Sequence, residues 1–94
     1  MSVHTRNGYP ARKPNVWLRQ SERENVVYDP TSGAVHMLNA TAMAIWVLCD
    51  GETRPDEMVE AICELSGLPA EVIAEDVRTI LRQFEDADIL TWRD

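Results

Sequence analysis

The chain has 94 residues and is acidic, with 16 Asp and Glu residues against nine Lys and Arg. This length fits one small domain, and no apolar run approaches the roughly 20 residues that span a bilayer. Residues 1–20 hold four basic and no acidic residues, whereas residues 21–94 hold five basic and 16 acidic residues. Such an acidic body repels nucleic acid and anionic lipid, so we expect neither as a partner. Without a signal-peptide pattern near the start, the expected compartment is the cytoplasm.

The first half of the chain predicts a tail and three short strands. Residues 1–14 are polar, lack periodicity and contain three Gly and Pro residues, which is typical of a flexible tail. We therefore expect one domain over residues 15–94. Segments rich in β-branched and aromatic residues follow at 16–20, 25–29 and 34–38. The last two flank a Pro-Thr-Ser-Gly turn, which predicts a β-hairpin.

Three helices are predicted in the second half. Asn39 is a good N-cap for a helix that ends near Gly51. Thr53 is the expected N-cap of a second helix, which Gly67 ends. A third helix opens at Pro69 and is broken at 88, before a short extended segment over 89–92.

This order of elements predicts an α+β fold in which a three-stranded antiparallel sheet is followed by three helices, as in winged helix-turn-helix domains. Such domains often bind DNA through the third helix. The outward side of that helix, however, carries more acidic than basic residues. These are Glu71, Glu75, Asp76, Glu85 and Asp86 against Arg78 and Arg82. A DNA-binding transcription regulator is therefore the alternative interpretation and not the first one.

The sequence shows little sign of catalysis. It has no Gly-rich phosphate loop, no nucleophile motif and no metal-binding His or Cys pattern, so we expect no enzyme activity, no metal and no cofactor. Cys49 and Cys63 fit two reduced thiols on apolar helix faces, with a disulfide or a metal pair as the alternatives. His36 is expected to pack against the sheet.

Peptide recognition is the third possibility. The strand at 34–38 lies at an edge of the predicted sheet, and an unpaired edge accepts an added strand through backbone hydrogen bonds. Apolar residues of the third helix would then form a wall beside it. The competing interpretation is that Val35, Met37, Ile73 and Ile80 simply fill the core.

The segment from Gly33 to Gly51 supports the peptide-binding interpretation. Its pattern is Gly-x-x-x-x-Leu-Asn-x-x-Ala-x-x-Ile-Trp-x-Leu-x-Asp-Gly. This pattern resembles the PqqD-like family, which comprises the recognition elements for ribosomally synthesised and post-translationally modified peptides (RiPPs). The resemblance covers roughly residues 15–91. One departure is Ala87-Asp88, where many members have a Gly.

The resemblance implies a winged-helix-like peptide chaperone that binds a precursor's leader by strand addition. It implies that the leader is presented to a modifying enzyme, such as a radical SAM enzyme or a protease/cyclase, in PQQ biosynthesis or for another product such as a lasso peptide. The protein itself is expected to be a monomer or a weak edge-paired dimer.

Two groups of residues are candidates for the peptide site under this resemblance. The strand that pairs with the leader would comprise Val35, His36, Met37 and Leu38. The helical wall would comprise Ile73, Asp76, Val77 and Ile80, with Arg82 and Phe84 as further candidates. Asp76 either meets a basic leader side chain or is an ordinary solvated acid.

Overall fold

The computed structural model describes residues 8–93 and contains two small sheets and three helices. The strands and helices run in this order: β1 Tyr9–Arg12, β2 Trp17–Gln20, β3 Asn25–Asp29, β4 Ala34–Leu38, α1 Ala40–Leu48, α2 Pro55–Ser66, α3 Ala70–Asp86 and β5 Leu90–Arg93. The antiparallel sheet β2-β3-β4 and the three helices after it confirm the predicted fold class. No helix in the described part of the chain is long and apolar enough to cross a membrane.

The β3–β4 hairpin closes around a buried carboxylate. Asp29 is almost fully buried, and its side chain accepts hydrogen bonds from the Thr31 N–H at 3.0 Å and the Ser32 hydroxyl at 3.2 Å. Gly33 adopts a positive φ of 77°, a conformation that costs glycine little. The turn pairs Asp29 with Ala34 and fixes the register of the hairpin.

Strand β1 lies inside the segment predicted to be a flexible tail, so that prediction is wrong for Tyr9–Arg12. This strand pairs antiparallel with β5, from Tyr9 opposite Arg93 to Arg12 opposite Leu90. The Arg12 guanidinium donates hydrogen bonds to the carbonyl oxygens of Trp46 at 2.9 Å and Val47 at 2.8 Å. Because these carbonyls end α1, the cation also meets the negative end of the helix dipole. The predicted tail residues 1–7 lie outside the described residues.

Two helix boundaries differ from the predictions. Helix α1 ends at Leu48 instead of near Gly51, because the Cys49 carbonyl accepts from the Arg12 N–H and the Gly51 N–H donates to the Pro10 carbonyl. Helix α2 begins at Pro55 with Arg54 as N-cap, so Thr53 is not the cap. The predicted N-cap Asn39 and the left-handed Gly67 at the end of α2 are confirmed.

The core lies between the inner face of the β2-β3-β4 sheet and the three helices. Trp46 on α1 and Phe84 on α3 meet edge to face, with ring centroids 5.2 Å apart. The fully or nearly buried residues of this cluster are Val27, Leu38, Ala42, Ile45, Trp46, Cys49, Met58, Ile62, Ile73, Val77, Leu81, Phe84, Ile89 and Leu90. The core thus joins β4 to α3, which places the free edge of β4 beside that helix.

Candidate functional site

Strand β4 is an edge strand of the three-stranded sheet, since it pairs only with β3 among the described residues. Its side chains alternate: Ala34, His36 and Leu38 face inward, whereas Val35 and Met37 are 58% and 71% exposed. The backbone groups of alternate residues in an antiparallel edge strand point away from the neighbouring strand. The edge of β4 is therefore available for another strand.

A groove of about 320 Å³ runs between β4 and the C-terminal end of α3. We call it the β4 groove, and its lining consists of Val35, His36, Met37, Leu38, Gln83, Phe84, Ala87 and Ile89. Phe84, Leu38 and Ile89 are buried, so the floor of the groove is part of the core. A groove lined mainly by apolar residue types, next to a free strand edge, suits an extended peptide, because the polar edge binds its backbone and the groove receives alternate side chains.

The C-terminal end of α3 is shaped to form this groove. Asp88 adopts a left-handed conformation with φ 62°, which reverses the chain direction after the helix. The Ile89 N–H then donates to the Phe84 carbonyl at 3.1 Å. An exposed ion pair joins Lys13 to Asp88 and holds the reversal against the segment that follows β1. Ile89 thereby comes to lie under β4.

The structure brings five of the predicted site residues together in the β4 groove. They are Val35, His36, Met37, Leu38 and Phe84. His36 is half-buried as expected, and its Nε2 atom is buried without a hydrogen-bond partner among residues 8–93. This buried nitrogen gives the inner face of β4 one polar group among apolar side chains.

The other predicted wall residues are distributed around α3. Ile73 and Val77 are 1% and 2% exposed in the core, so they do not line the groove. Asp76 and Ile80 are half-buried, at four-residue spacings before Phe84 on the same side of the helix. Neither lines the β4 groove, and Ile80 packs against the core. Arg82 is exposed and lies about 200° around the helix from Phe84, away from the groove.

Three lining residues were not predicted: Gln83, Ala87 and Ile89. Gln83 and Ala87 follow Ile80 at i+3 and i+7, so the helical period alone placed them on the same side as Ile80. Ile89 carried no local signal, because its position depends on the left-handed turn at Asp88.

A second groove, of about 510 Å³, lies near the opposite edge of the sheet. We call it the β2 groove, and its lining consists of Arg12, Lys13, Pro14, Val16, Leu18, Trp46 and Val47. It is larger than the β4 groove, but two cationic side chains line it, and both already have partners in the protein. Strand β2 is exposed along its whole length. The sheet thus has two free edges, β2 and β4, each with a groove beside it. The geometry of the grooves alone does not show which edge binds a peptide.

The described residues contain no group of three or more His, Cys, Asp or Glu side chains placed to hold a metal ion. Cys49 and Cys63 are both free thiols. Cys49 is fully buried, and burial raises the pKa of its thiol to about 12, against a smaller opposing effect of Arg12. A thiol held in its neutral form is a poor nucleophile.

A protein-family model covers most of the chain and differs in how much of each groove it includes. The family model described as coenzyme PQQ synthesis protein D (PqqD) matches residues 24–90. That segment includes every residue that lines the β4 groove, but it begins after β2 and excludes five of the seven that line the β2 groove. No curated protein matches the chain.

Two solved structures share the fold. The first, "TbiB1 in Complex with the TbiA(beta) Leader Peptide", is 26% identical over 85% of this chain and 93% of that one, with a TM-score of 0.76. The second, "Lasso peptide synthetase B1 complexed with the leader peptide", is 16% identical over 88% of this chain and 98% of that one, with a TM-score of 0.79. Both structures are complexes with leader peptides.

Proposed function

This chain belongs to the PqqD family, and we propose that it binds the leader of a ribosomally synthesised precursor peptide as an added strand on β4. The leader's backbone pairs with the free edge of Val35–Leu38, and its groove-facing side chains contact Phe84, Ala87 and Ile89. The observation that carries this proposal is the β4 groove beside an unpaired strand edge, inside the segment that the family model matches.

The role we propose is recognition without catalysis. The chain holds the leader while a separate enzyme, a radical SAM enzyme or a protease/cyclase, modifies the core of the same precursor. This assignment agrees with the unreactive, buried Cys49 and with the two structural relatives, which were solved with leader peptides. Binding takes place in the compartment in which the precursor is made, which we take to be the cytoplasm.

The affinity we expect is a Kd on the order of 1 μM, equivalent to about −8 kcal/mol. A disordered leader must be ordered when it binds, and this conformational cost offsets part of the gain from backbone pairing and apolar burial. Isothermal titration calorimetry with a synthetic leader of the cognate precursor measures this value directly.

Backbone pairing is tested by N-methylated leader peptides. In an added strand, alternate N–H groups bond to the edge, so N-methylation at successive leader positions should weaken binding in an alternating pattern, by at least about tenfold at the bonded positions. The unmethylated leader is the reference. Equal tolerance of methylation at all positions would contradict strand addition, even if the leader binds.

The groove wall is tested by a charge-matched pair of variants on α3. Ile80→Asp places a carboxylate one helical turn before Phe84 on the same side of α3, and we expect at least about tenfold weaker leader binding because the charge loses hydration when the peptide covers it. A melting curve of this variant shows whether the domain stays folded, since Ile80 also packs against the core. Arg82→Gln changes the net charge by the same amount on the far side of the helix and should leave the affinity unchanged. Equal effects of the two variants would show that only net charge matters.

A further inference from the structure

His36 lies on the inner side of β4 and lines the β4 groove. Its Nε2 atom is shielded from solvent, and in the described part of the chain this atom has no hydrogen-bond partner. Buried polar side-chain atoms of folded proteins nearly always have a partner, because an unpaired one destabilises the folded state. The ring therefore holds an unused hydrogen-bonding group at the wall of the groove.

The residues around His36 are mostly apolar. Val27, which is fully buried, lies opposite it on β3. Leu38, the next inward-facing residue of β4, is 8% exposed, and Phe84 on α3 is 4% exposed. Gln83, also on α3, contributes an exposed carboxamide to the lining. None of the described residues that line this groove is Asp, Glu, Lys or Arg, so an ion that entered it would lose hydration without meeting an opposite charge.

A strand added to β4 places one of its side chains next to this ring. Residues that lie opposite each other in paired strands point to the same side of the sheet, with Cβ atoms roughly 4.5–5.5 Å apart in the antiparallel case. The leader residue opposite His36 therefore points into the groove. The torsion that orients an imidazole ring is broad, so the ring can turn Nε2 towards that side chain. The groove, of about 320 Å³, is roughly ten times the volume of one water molecule and has room for both groups.

The chemistry of the groove selects an uncharged polar side chain at that leader position. A neutral imidazole has one nitrogen that donates and one that accepts, and a hydroxyl or a carboxamide can do either. An apolar side chain would leave Nε2 unpaired beneath the peptide, and a charged one would lose its hydration next to Phe84 and Leu38. Two residues along the leader in one direction, the side chain faces Leu38 and should be apolar.

We propose that His36 is a specificity-determining residue, and that the leader residue opposite it carries a hydroxyl or a carboxamide that bonds to Nε2. This inference rests on the proposed function and names the leader feature that the site recognises. Backbone pairing on β4 supplies affinity for any extended peptide, whereas the side chains of the groove decide which peptide fits. His36 therefore affects the choice of leader and not the ability of β4 to accept a strand.

The test is a set of binding titrations that varies both partners. The probe is a synthetic leader of the cognate precursor, in which each hydroxyl or carboxamide residue is replaced in turn by an apolar residue of similar size, such as Thr by Val or Gln by Leu. Calorimetry gives the Kd of each leader for the native chain and for His36→Leu. We expect one replacement to weaken binding to the native chain at least about fivefold and to His36→Leu less than about twofold, because only the native chain loses a hydrogen bond.

Further variants show whether the ring nitrogen is responsible. His36→Gln places a carboxamide near the position of Nε2 and should keep the preference for the polar leader residue. Arg82→Gln, on the exposed far side of α3, is the matched control and should behave as the native chain does. His36→Leu should melt at or above the native temperature, since it removes a buried polar group that has no partner.

Other outcomes overturn the inference. If no uncharged polar leader residue matters to the native chain, or if His36→Leu keeps the same preference, His36 does not select the leader. A sensitive leader position that carries Asp or Glu would show that the ring recognises a carboxylate instead. A His36→Leu variant that melts well below the native chain would show that the ring stabilises the fold. All of these outcomes leave leader binding itself intact, whereas failure of the native chain to bind the unaltered leader overturns the proposed function too.

Discussion

Trp46 and Phe84, two aromatic residues of the core, affect both the stability of the domain and the shape of the β4 groove. Trp46 is 2% exposed and packs edge to face on Phe84, whose other side forms the floor of the β4 groove. Removing the indole therefore leaves a cavity directly behind the proposed peptide site. Damage to the core at this position is expected to lower leader affinity as well as stability.

We expect Trp46→Ala to lower the free energy of unfolding by about 3–5 kcal/mol, the range for removing a buried large aromatic side chain. For a domain of this size each kcal/mol corresponds to roughly 4–8 °C, so the melting temperature should fall by more than about 10 °C. Trp17→Ala, which removes a 66% exposed indole on β2, is the matched control and should lower the melting temperature far less, because only its edge-to-face contact with Tyr28 is lost. Equal shifts in the two variants would contradict the assigned core.

The buried thiol of Cys49 leads us to expect a loss of folding stability at alkaline pH. Burial raises the pKa of its thiol from 9.0 to about 12, so the unfolded chain loses this proton at a lower pH than the folded one. The stabilisation from the neutral buried thiol is complete below pH 9 and disappears as the pH rises from 9 towards 12. At a pH of about 10.5 the loss should be about 2 kcal/mol, from roughly 1.36 kcal/mol per pKa unit.

Urea unfolding at pH values of about 7 and about 10.5, with a reducing agent present, measures this loss. Cys49→Ala is the control, because it keeps every other titrating group. We expect the native chain to lose about 2 kcal/mol more than this variant between the two pH values. A native chain and variant with the same pH dependence would show that the thiol is accessible to water.

At the scale of elements, the sequence predicted best those parts that are built from local signals. The β3–β4 hairpin follows from Asp29, Gly33 and alternating apolar residues, and the start of α1 follows from Asn39. Both lie within a few residues of their cause. These two elements supply the strand half of the candidate site, which is why the predicted strand residues Val35–Leu38 line the β4 groove. Their role in peptide binding stays a prediction.

The elements that were missed depend on contacts distant in sequence. The β1 segment has no apolar pattern typical of a strand, and Pro10 and Pro14 lie in it and just after it. It forms a strand because β5, some 80 residues later, pairs with it. On its other side β1 also ends α1 early, since residues 49–51 form backbone hydrogen bonds with β1. On α3, the sequence made Ile73, Val77 and Ile80 candidates for the groove wall, but only tertiary packing decides that Ile73 and Val77 are buried in the core while Ile80 stays half-buried at its border.

Strand β1 places Arg12 where its side chain stabilises the end of α1. Its guanidinium satisfies two carbonyls at the end of α1, so Arg12→Ala should lower the free energy of unfolding by about 1–3 kcal/mol. Arg82→Ala, on the exposed side of α3, should change it by less than about 0.5 kcal/mol. Urea denaturation of both variants measures the difference. An unchanged Arg12→Ala midpoint would favour the flexible tail that the sequence predicted.

At the scale of the whole molecule, the charge is divided between a nearly neutral sheet half and an acidic helical half. In a DNA-binding winged helix the third helix enters the major groove, and here its outward side carries Glu71, Glu75 and Asp86. We expect no sequence-specific duplex binding in a gel-shift assay, even at low salt, where attraction between charges is exaggerated. Retention of one particular duplex at nanomolar protein would contradict this expectation.

The most direct test of leader binding at β4 is a titration of ¹⁵N-labelled protein with a synthetic leader of the cognate precursor, followed by amide chemical shifts. Strand addition on β4 predicts that the largest changes fall on residues 34–38 and on residues 83–89 across the groove, with β2 and α2 much less affected. The leader would then lie between the free edge of β4 and the end of α3. Changes that cluster on residues 17–20 or 55–66 and spare residues 34–38 would contradict the assignment of the peptide to the β4 groove.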